Sequence, residues 1–200
     1  MLWRLFSEIC SIRDVWKCDD ASVDNTSKYD KSHTGYSFAF DTDHYLLTGA
    51  SSIGRFVIIP NSVGNQVKIT CMMKNGASSN TNNVQPAIGF RNTTTGDIVH
   101  SRFTSNNNEH IMAITNGTSY NGFSSNVTQA YYTYSRATWY ICELILDGTS
   151  ITFNMYNESN TLLKSISGTT STLGSVNEVL IGGVISSGNI QFKDLIIEPL

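Results

Sequence analysis

The stretch 139–157, WYICELILDGTSITFNMYN, decides the fold class. Tyr140, Cys142, Leu144 and Leu146 recur at every second position, the period of a strand with one apolar face. Asp147-Gly148 follows, a dipeptide that closes tight hairpins because glycine accepts a positive φ. Ile151, Phe153 and Met155 then alternate with Thr152, Asn154 and Tyr156 on the way back. This is an antiparallel hairpin. A later segment, IGGVISSGNIQFKDLIIEPL at 181–200, reads as a further strand that ends the chain.

Outward from the hairpin the same period recurs. GYSFAF places Tyr36, Phe38 and Phe40 on one face, RFVIIP is a short strand ended by Pro60, and QVKITCMMK is a longer one. VQPAIGFR, DIVHSRF, EHIMAIT and QAYYTYS follow before the hairpin. Turn dipeptides at Asn75-Gly76, Gly96-Asp97, Asn116-Gly117 and Asp147-Gly148 break the strands at the spacing of a sandwich or barrel. Only residues 1–14 carry a helical period, with Leu2, Leu5, Phe6, Ile9 and Ile12 three or four apart. That segment either caps the sandwich or docks on another chain. The expected organisation is an N-terminal attachment segment, 1–18, followed by one β domain, 19–200.

Composition narrows the class. Charged residues make up 14% of the 200 positions, well below the roughly 25% of ordinary soluble domains. Ser, Thr and Asn supply about a third of the chain instead, favouring strands and turns. A net charge of −3 with no basic stripe argues against a nucleic-acid partner. No apolar run approaches the ~18–20 residues of a membrane helix. Arg4, Glu8 and Arg13 interrupt the N-terminal apolar stretch, so it does not read as a signal peptide, and the expectation is that the chain leaves the cell by another route, such as lysis, or is a fragment of something longer. Five Asn-x-Ser/Thr sequons (Asn25, Asn92, Asn116, Asn126, Asn157) are then products of composition. Cys71 and Cys142 sit at apolar positions of strands and read as small core hydrophobes; Cys10 and Cys18 lie close enough to pair, but free thiols are the expectation.

A Trp-Tyr pair opening a hairpin, a Gly-Gly segment and a closing strand with a Lys-Asp dipeptide together resemble the concanavalin A-like (laminin G-like) jelly-roll sandwiches, over roughly residues 19–200. The resemblance implies two antiparallel sheets, a concave face and variable rim loops. Similar Asn/Ser/Thr-rich sandwiches occur in phage and archaeal-virus tail or fibre proteins and in adhesin-like surface proteins. In the hydrolytic branches of that superfamily an acidic Glu-x-Asp-x-x-Glu-like pattern sets two carboxylates on one strand face. Nothing here matches it: Glu143 and Asp147 are split by a turn position, Asp41 and Asp43 lie in a loop-like stretch, and Glu109 stands alone. There is no GxSxG elbow either.

The residues suited to a ligand are aromatics that stack on sugar rings and planar polar groups that bond hydroxyls. Tyr131, Tyr132 and Tyr134 cluster before the hairpin, and Tyr131 and Tyr132 have opposite parity, so one faces outward. His100 and Arg102 share a strand face, and Arg91 and His110 lie on neighbouring strands, together able to line a concave sheet. A buried reading also exists for each. Asp194 has the parity of Ile190, Phe192 and Ile196, which predicts an inward carboxylate in need of a partner. That partner is either a set of backbone and hydroxyl donors or a structural calcium ion shared with Asp19, Asp20 and Asp24, the one cofactor the sequence suggests.

The expected function is a non-enzymatic recognition module of a virion or extracellular surface, binding a cell-surface glycan or host receptor. Its N-terminal segment would seat it among other virion or surface-assembly proteins, as a homotrimer. The alternatives are a structural or decorating virion protein without a glycan ligand, and a glycan-degrading enzyme of the same fold.

Overall fold

The computed structural model describes residues 36–49, 51–60, 64–76, 84–106, 109–117, 125–170, 173–185 and 188–200. These form thirteen strands: β1 (Tyr36–Asp41), β2 (His44–Gly49), β3 (Ser51–Pro60), β4 (Gln66–Asn75), β5 (Val84–Arg91), β6 (Ile98–Asn106), β7 (Glu109–Gly117), β8 (Ser125–Tyr131), β9 (Trp139–Asp147), β10 (Ser150–Tyr156), β11 (Leu162–Thr169), β12 (Glu178–Ile185) and β13 (Asn189–Pro199). They lie in two antiparallel sheets. A seven-stranded sheet has the order β1-β2-β13-β4-β9-β10-β11, and a six-stranded sheet the order β3-β12-β5-β6-β7-β8. Crossovers between layers, as from β12 to β13, make this a jelly-roll sandwich, the all-β fold expected. Among the described residues no helix is long and apolar enough to cross a membrane.

The deciding hairpin forms as read. β9 and β10 pair with Asp147 opposite Ser150, and Gly148 takes the first turn position at φ 61. Tyr140, Cys142, Leu144 and Leu146 from β9 meet Ile151, Phe153 and Met155 from β10 in the core. From the other sheet come Val57, Ile59, Ile88, Phe90, Val99, Phe103, Val179 and Ile181. Phe38 and Phe40 lie against Tyr45, which stacks on Phe192 at 5.1 Å, closing the β1 end. Cys71 and Cys142 stand opposite each other on β4 and β9 as buried thiols. Burial pushes the Cys142 thiol well above its ordinary pKa. With Cys10 and Cys18 replaced by serine, the native protein should therefore resist a thiol reagent that modifies both remaining cysteines after denaturation. Native-state labelling would show that the sheet opens at its centre.

Three sequence expectations are corrected. The closing segment 181–200 is two strands, β12 and β13, in different sheets. The last strand of the β5–β8 meander is Ser125–Tyr131, so Tyr132 and Tyr134 lie beyond its end. In β13 the pairing with β4 slips between Lys193 and Ile196, and Asp194 adopts a left-handed φ of 53. That bulge inverts the parity after Phe192. Leu195 and Ile197 turn inward instead of Asp194 and Ile196, and Asp194 is half-buried rather than committed to the core.

Candidate functional site

The outer face of the seven-stranded sheet is built by the positions that alternate with the core. On β9 these are Trp139, Ile141, Glu143 and Ile145; on β4, Lys68, Thr70, Met72 and Lys74. Register then places unlike residues together: Trp139 opposite Lys74, Thr70 opposite Glu143, and Lys193 of β13 opposite Met72. Trp139 is the centre of an aromatic and cationic group. Lys74 Nζ lies 4.6 Å and Lys193 Nζ 4.7 Å from its ring centroid, both in cation–π range, and the His44 ring meets it edge-on at 5.8 Å. Asp43, in the β1–β2 turn, receives His44 Nδ1 at 2.9 Å and Lys193 Nζ at 3.1 Å. Those two hydrogen bonds, His44 first, hold its carboxyl below the usual aspartate range.

One row further along the same face is a polar network. Lys68 Nζ lies 2.6 Å from Glu198 and 3.9 Å from Glu143. Glu143 Oε1 accepts from Asn154 Nδ2 (2.8 Å) and Tyr156 Oη (3.2 Å), and Ser165 Oγ donates to Asn154 Oδ1 at 2.6 Å. The Glu198 contact raises the Lys68 pKa, so this ammonium stays charged throughout the physiological range. Half-buried Trp139 thus shares this sheet face with donors, acceptors and both signs of charge.

The residues expected to line a concave face are brought together in part, on the outer side of the six-stranded sheet. His100 pairs with Gly89, Arg102 with Ala87 and Arg91 with Ile98, which sets the three long side chains on one face. Arg102 Nη1 donates to Gln85 Oε1 (2.7 Å), Arg91 Nη1 bonds Glu178 Oε2 (3.0 Å), and Thr115 Oγ1 lies 3.2 Å from His100 Nδ1. Yet His100 is only 3% exposed and Phe56 lies over it at 5.9 Å. It is not an open ligand group. Desolvation, then the Arg102 charge, pushes its pKa down to about 3, so the imidazole is neutral.

The tyrosines do not act together. Tyr131 is 74% exposed, Tyr132 packs partly on the core, and Tyr134 is buried. Tyr134 meets Phe103 edge-on at 4.9 Å and accepts from Asn75 Nδ2 at 3.3 Å, so it is a core residue and not a ligand residue. His110 belongs to β7, but its side chain lies outside the described residues. So do Asp19, Asp20 and Asp24. Among the described residues no three His, Cys, Asp or Glu side chains gather where a metal ion could be held, Asp194 included. Sequon Asn92 is buried: its Nδ2 donates to the Leu173 carbonyl and its Oδ1 accepts from Thr94 N–H, a structural role.

The Trp139 platform was the group sequence reading missed. Outward parity for Trp139 was available, since Tyr140 faces in; that Lys74 and Lys193 flank it depends on β4 lying between β9 and β13.

No protein-family model and no curated protein sequence matches the chain. Solved structures do. The carbohydrate binding module CBM66 from Bacillus subtilis superposes with a TM-score of 0.62 at 11% identity, over 87% of this chain and 97% of that one. The exoplasmic/lumenal domain of VIP36, in its Ca2+/Man3GlcNAc-bound form, gives 0.65 at 10% identity, over 94% and 90%. The CBM2 module of the evolved Dit of Lactobacillus casei BL23 phage J-1 gives 0.58 at 11% identity, over 80% and 78%. The likeness is one of fold, a jelly-roll β-sandwich.

Proposed function

We propose that this chain is a non-enzymatic glycan-recognition module of a virion or cell surface, and that it reads sugar on the outer face of its seven-stranded sheet. The observation that carries the reading is Trp139, half-buried on that outer face, with Lys74 and Lys193 over its ring, His44 at its edge and Asp43 bonded to Lys193. An indole offers the flat apolar surface on which a sugar's C–H face stacks, and the charged rim bonds its hydroxyls. Sugar-binding modules among the similar solved structures support a glycan ligand, and the phage module among them supports a virion setting. On the same face Lys68 bridges the carboxylates of Glu143 and Glu198, which favours binding over hydrolysis by a free acid pair.

The test is a glycan array probed with the full chain and with Trp139→Ala. The full chain should retain a defined set of glycans, and the variant should bind them about tenfold more weakly, the worth of one stacking contact. A melting temperature within a few degrees of the parent would show that the fold persists. An empty array would reject the glycan reading; binding unmoved by Trp139→Ala would reject this face.

One observation favours the structural alternative. Met72 stands opposite Ile141 on the same outer face, with Ile145 and Ile196 nearby, an apolar streak suited to a protein partner. An empty array together with an assembly dispersed by Ile141→Glu would support it.

A further inference from the structure

On the reading that the outer face of the seven-stranded sheet binds sugar, we infer that the sugar is acidic. Beside the ring that stacks on Trp139 it carries one singly charged group, a carboxylate or a sulfate ester, which Lys74 and Lys193 receive. Strand alternation supplies the two cations. Met73 of β4 and Phe192 of β13 turn into the core, which leaves their neighbours Lys74 and Lys193 on the outer face. Lys74 stands directly across from Trp139 on β9 and from Gln191 on β13, neither of them charged. Among the described residues no carboxylate lies within ion-pair distance of Lys74, whereas Lys193 Nζ has Asp43 Oδ2 at 3.1 Å.

Further along the face Glu143 and Glu198 lie against Lys68, so neither neutralises the cations at Trp139. Two ammonium groups against one carboxylate leave a positive charge beside the indole, in a chain whose net charge is −3. The sign at the site is opposite to that of the whole molecule. Asp43 is moreover the exposed member of its pair, its side chain 61% accessible against 19% for Lys193, so water weakens its hold on the ammonium.

The two lysines also decide what can stack. Their Nζ atoms lie 4.6 and 4.7 Å from one ring centroid, where a stacked pyranose would compete with them. A neutral sugar has to displace an ammonium from the indole and offers it no charge in exchange. A charge-assisted hydrogen bond to an anion is stronger than a cation–π contact within reach of water. An acid group on the sugar therefore draws the ammonium off the ring as the sugar moves onto it. One net positive charge matches a singly charged group better than a phosphate ester, which carries about −1.5 to −2. Lysine is a compact point charge without the fixed fork of arginine, so a carboxylate and a sulfate satisfy the pair alike.

The test titrates the full chain by calorimetry with oligosaccharides in matched pairs: uronate chains with their carboxyl-reduced forms, and sulfated chains with their desulfated forms. In one or both kinds of pair the acidic member should bind about tenfold more tightly. Lys74→Gln should cut that ratio severalfold without weakening the neutral members. Lys164→Gln, the same charge lost from β11 at the far edge of the sheet, should leave the ratio unmoved. Asp43→Asn still accepts from His44 but frees Lys193, and should raise the ratio severalfold, a direction that damage to the fold would not produce. A preference confined to the uronate pairs assigns the carboxylate, and one confined to the sulfated pairs the sulfate. Equal affinities within every pair, or array hits that are all neutral, overturn the inference while glycan binding stands. So does a ratio that Lys74→Gln leaves unmoved, that Lys164→Gln lowers equally, or that Asp43→Asn lowers. Binding to no glycan of the panel or the array overturns the glycan reading and this inference together.

Discussion

Gly183→Ala should destabilise this protein by roughly 3–5 kcal/mol, the sum of backbone strain and overpacking that nothing nearby can relieve. A Cβ at Gly183 would stand 1.8 Å from the Gln85 carbonyl oxygen, 2.9 Å from its carbon and 3.1 Å from the Ala87 nitrogen. All three atoms are backbone of β5, the strand to which β12 is bonded, so no side chain can swing aside. Gly183 also holds φ at +137, a conformation open to glycine and costly to alanine. At ~2–4 °C per kcal/mol for a chain of this size, the melting temperature should fall by about 10 °C or more. Gly64→Ala is the control. Its φ of +75 also disfavours alanine, though less severely, and nothing lies within 4 Å, so only a strain of about 1 kcal/mol should appear. Equal melting temperatures for the two variants would mean that β12 and β5 do not approach as described.

The β9–β10 hairpin was legible in the sequence as a strand pair, because it carries its cause locally. Elements lacking a local period were not. β2, HYLLTG, is short and ends in glycine, and β11 is an exposed edge strand whose LLKSISGT shows a ragged burial pattern. β12 is buried on both faces, so its EVLIGGVI has no alternation to read and merges with β13. A bulge defeats parity in another way: one left-handed residue, Asp194, exchanges inside and outside for the rest of β13. The site failed on exposure rather than on grouping. His100, Arg102 and Arg91 do share a face, as strand parity implies, but parity cannot tell whether a second layer covers that face. Trp139 shows the converse, its neighbours supplied by strands 65 and 54 positions away in the chain.

The burial of His100 is measurable through pH. Buried at 3% exposure beside Arg102, its imidazole has a folded pKa of about 3 against an ordinary 6.5. Above pH ~6.5 neither folded nor unfolded chain protonates this ring, and stability is unaffected by it. As pH falls below 6.5 the unfolded chain takes up the proton and the folded one refuses it, so stability declines until the folded pKa is reached. At ~1.4 kcal/mol per pH unit, up to roughly 4–5 kcal/mol is at stake across that window. Asp43 adds its own loss only at the lower end, since its depressed pKa acts below an ordinary 3.8, and the raised pKa of Lys68 acts in the alkaline range. His100→Gln keeps a hydrogen-bonding group near Thr115 without a titrating one. Urea midpoints for parent and variant should therefore diverge from pH 7 to pH 5 and pH 4, the parent losing stability faster. Parallel lines would mean that water reaches the ring.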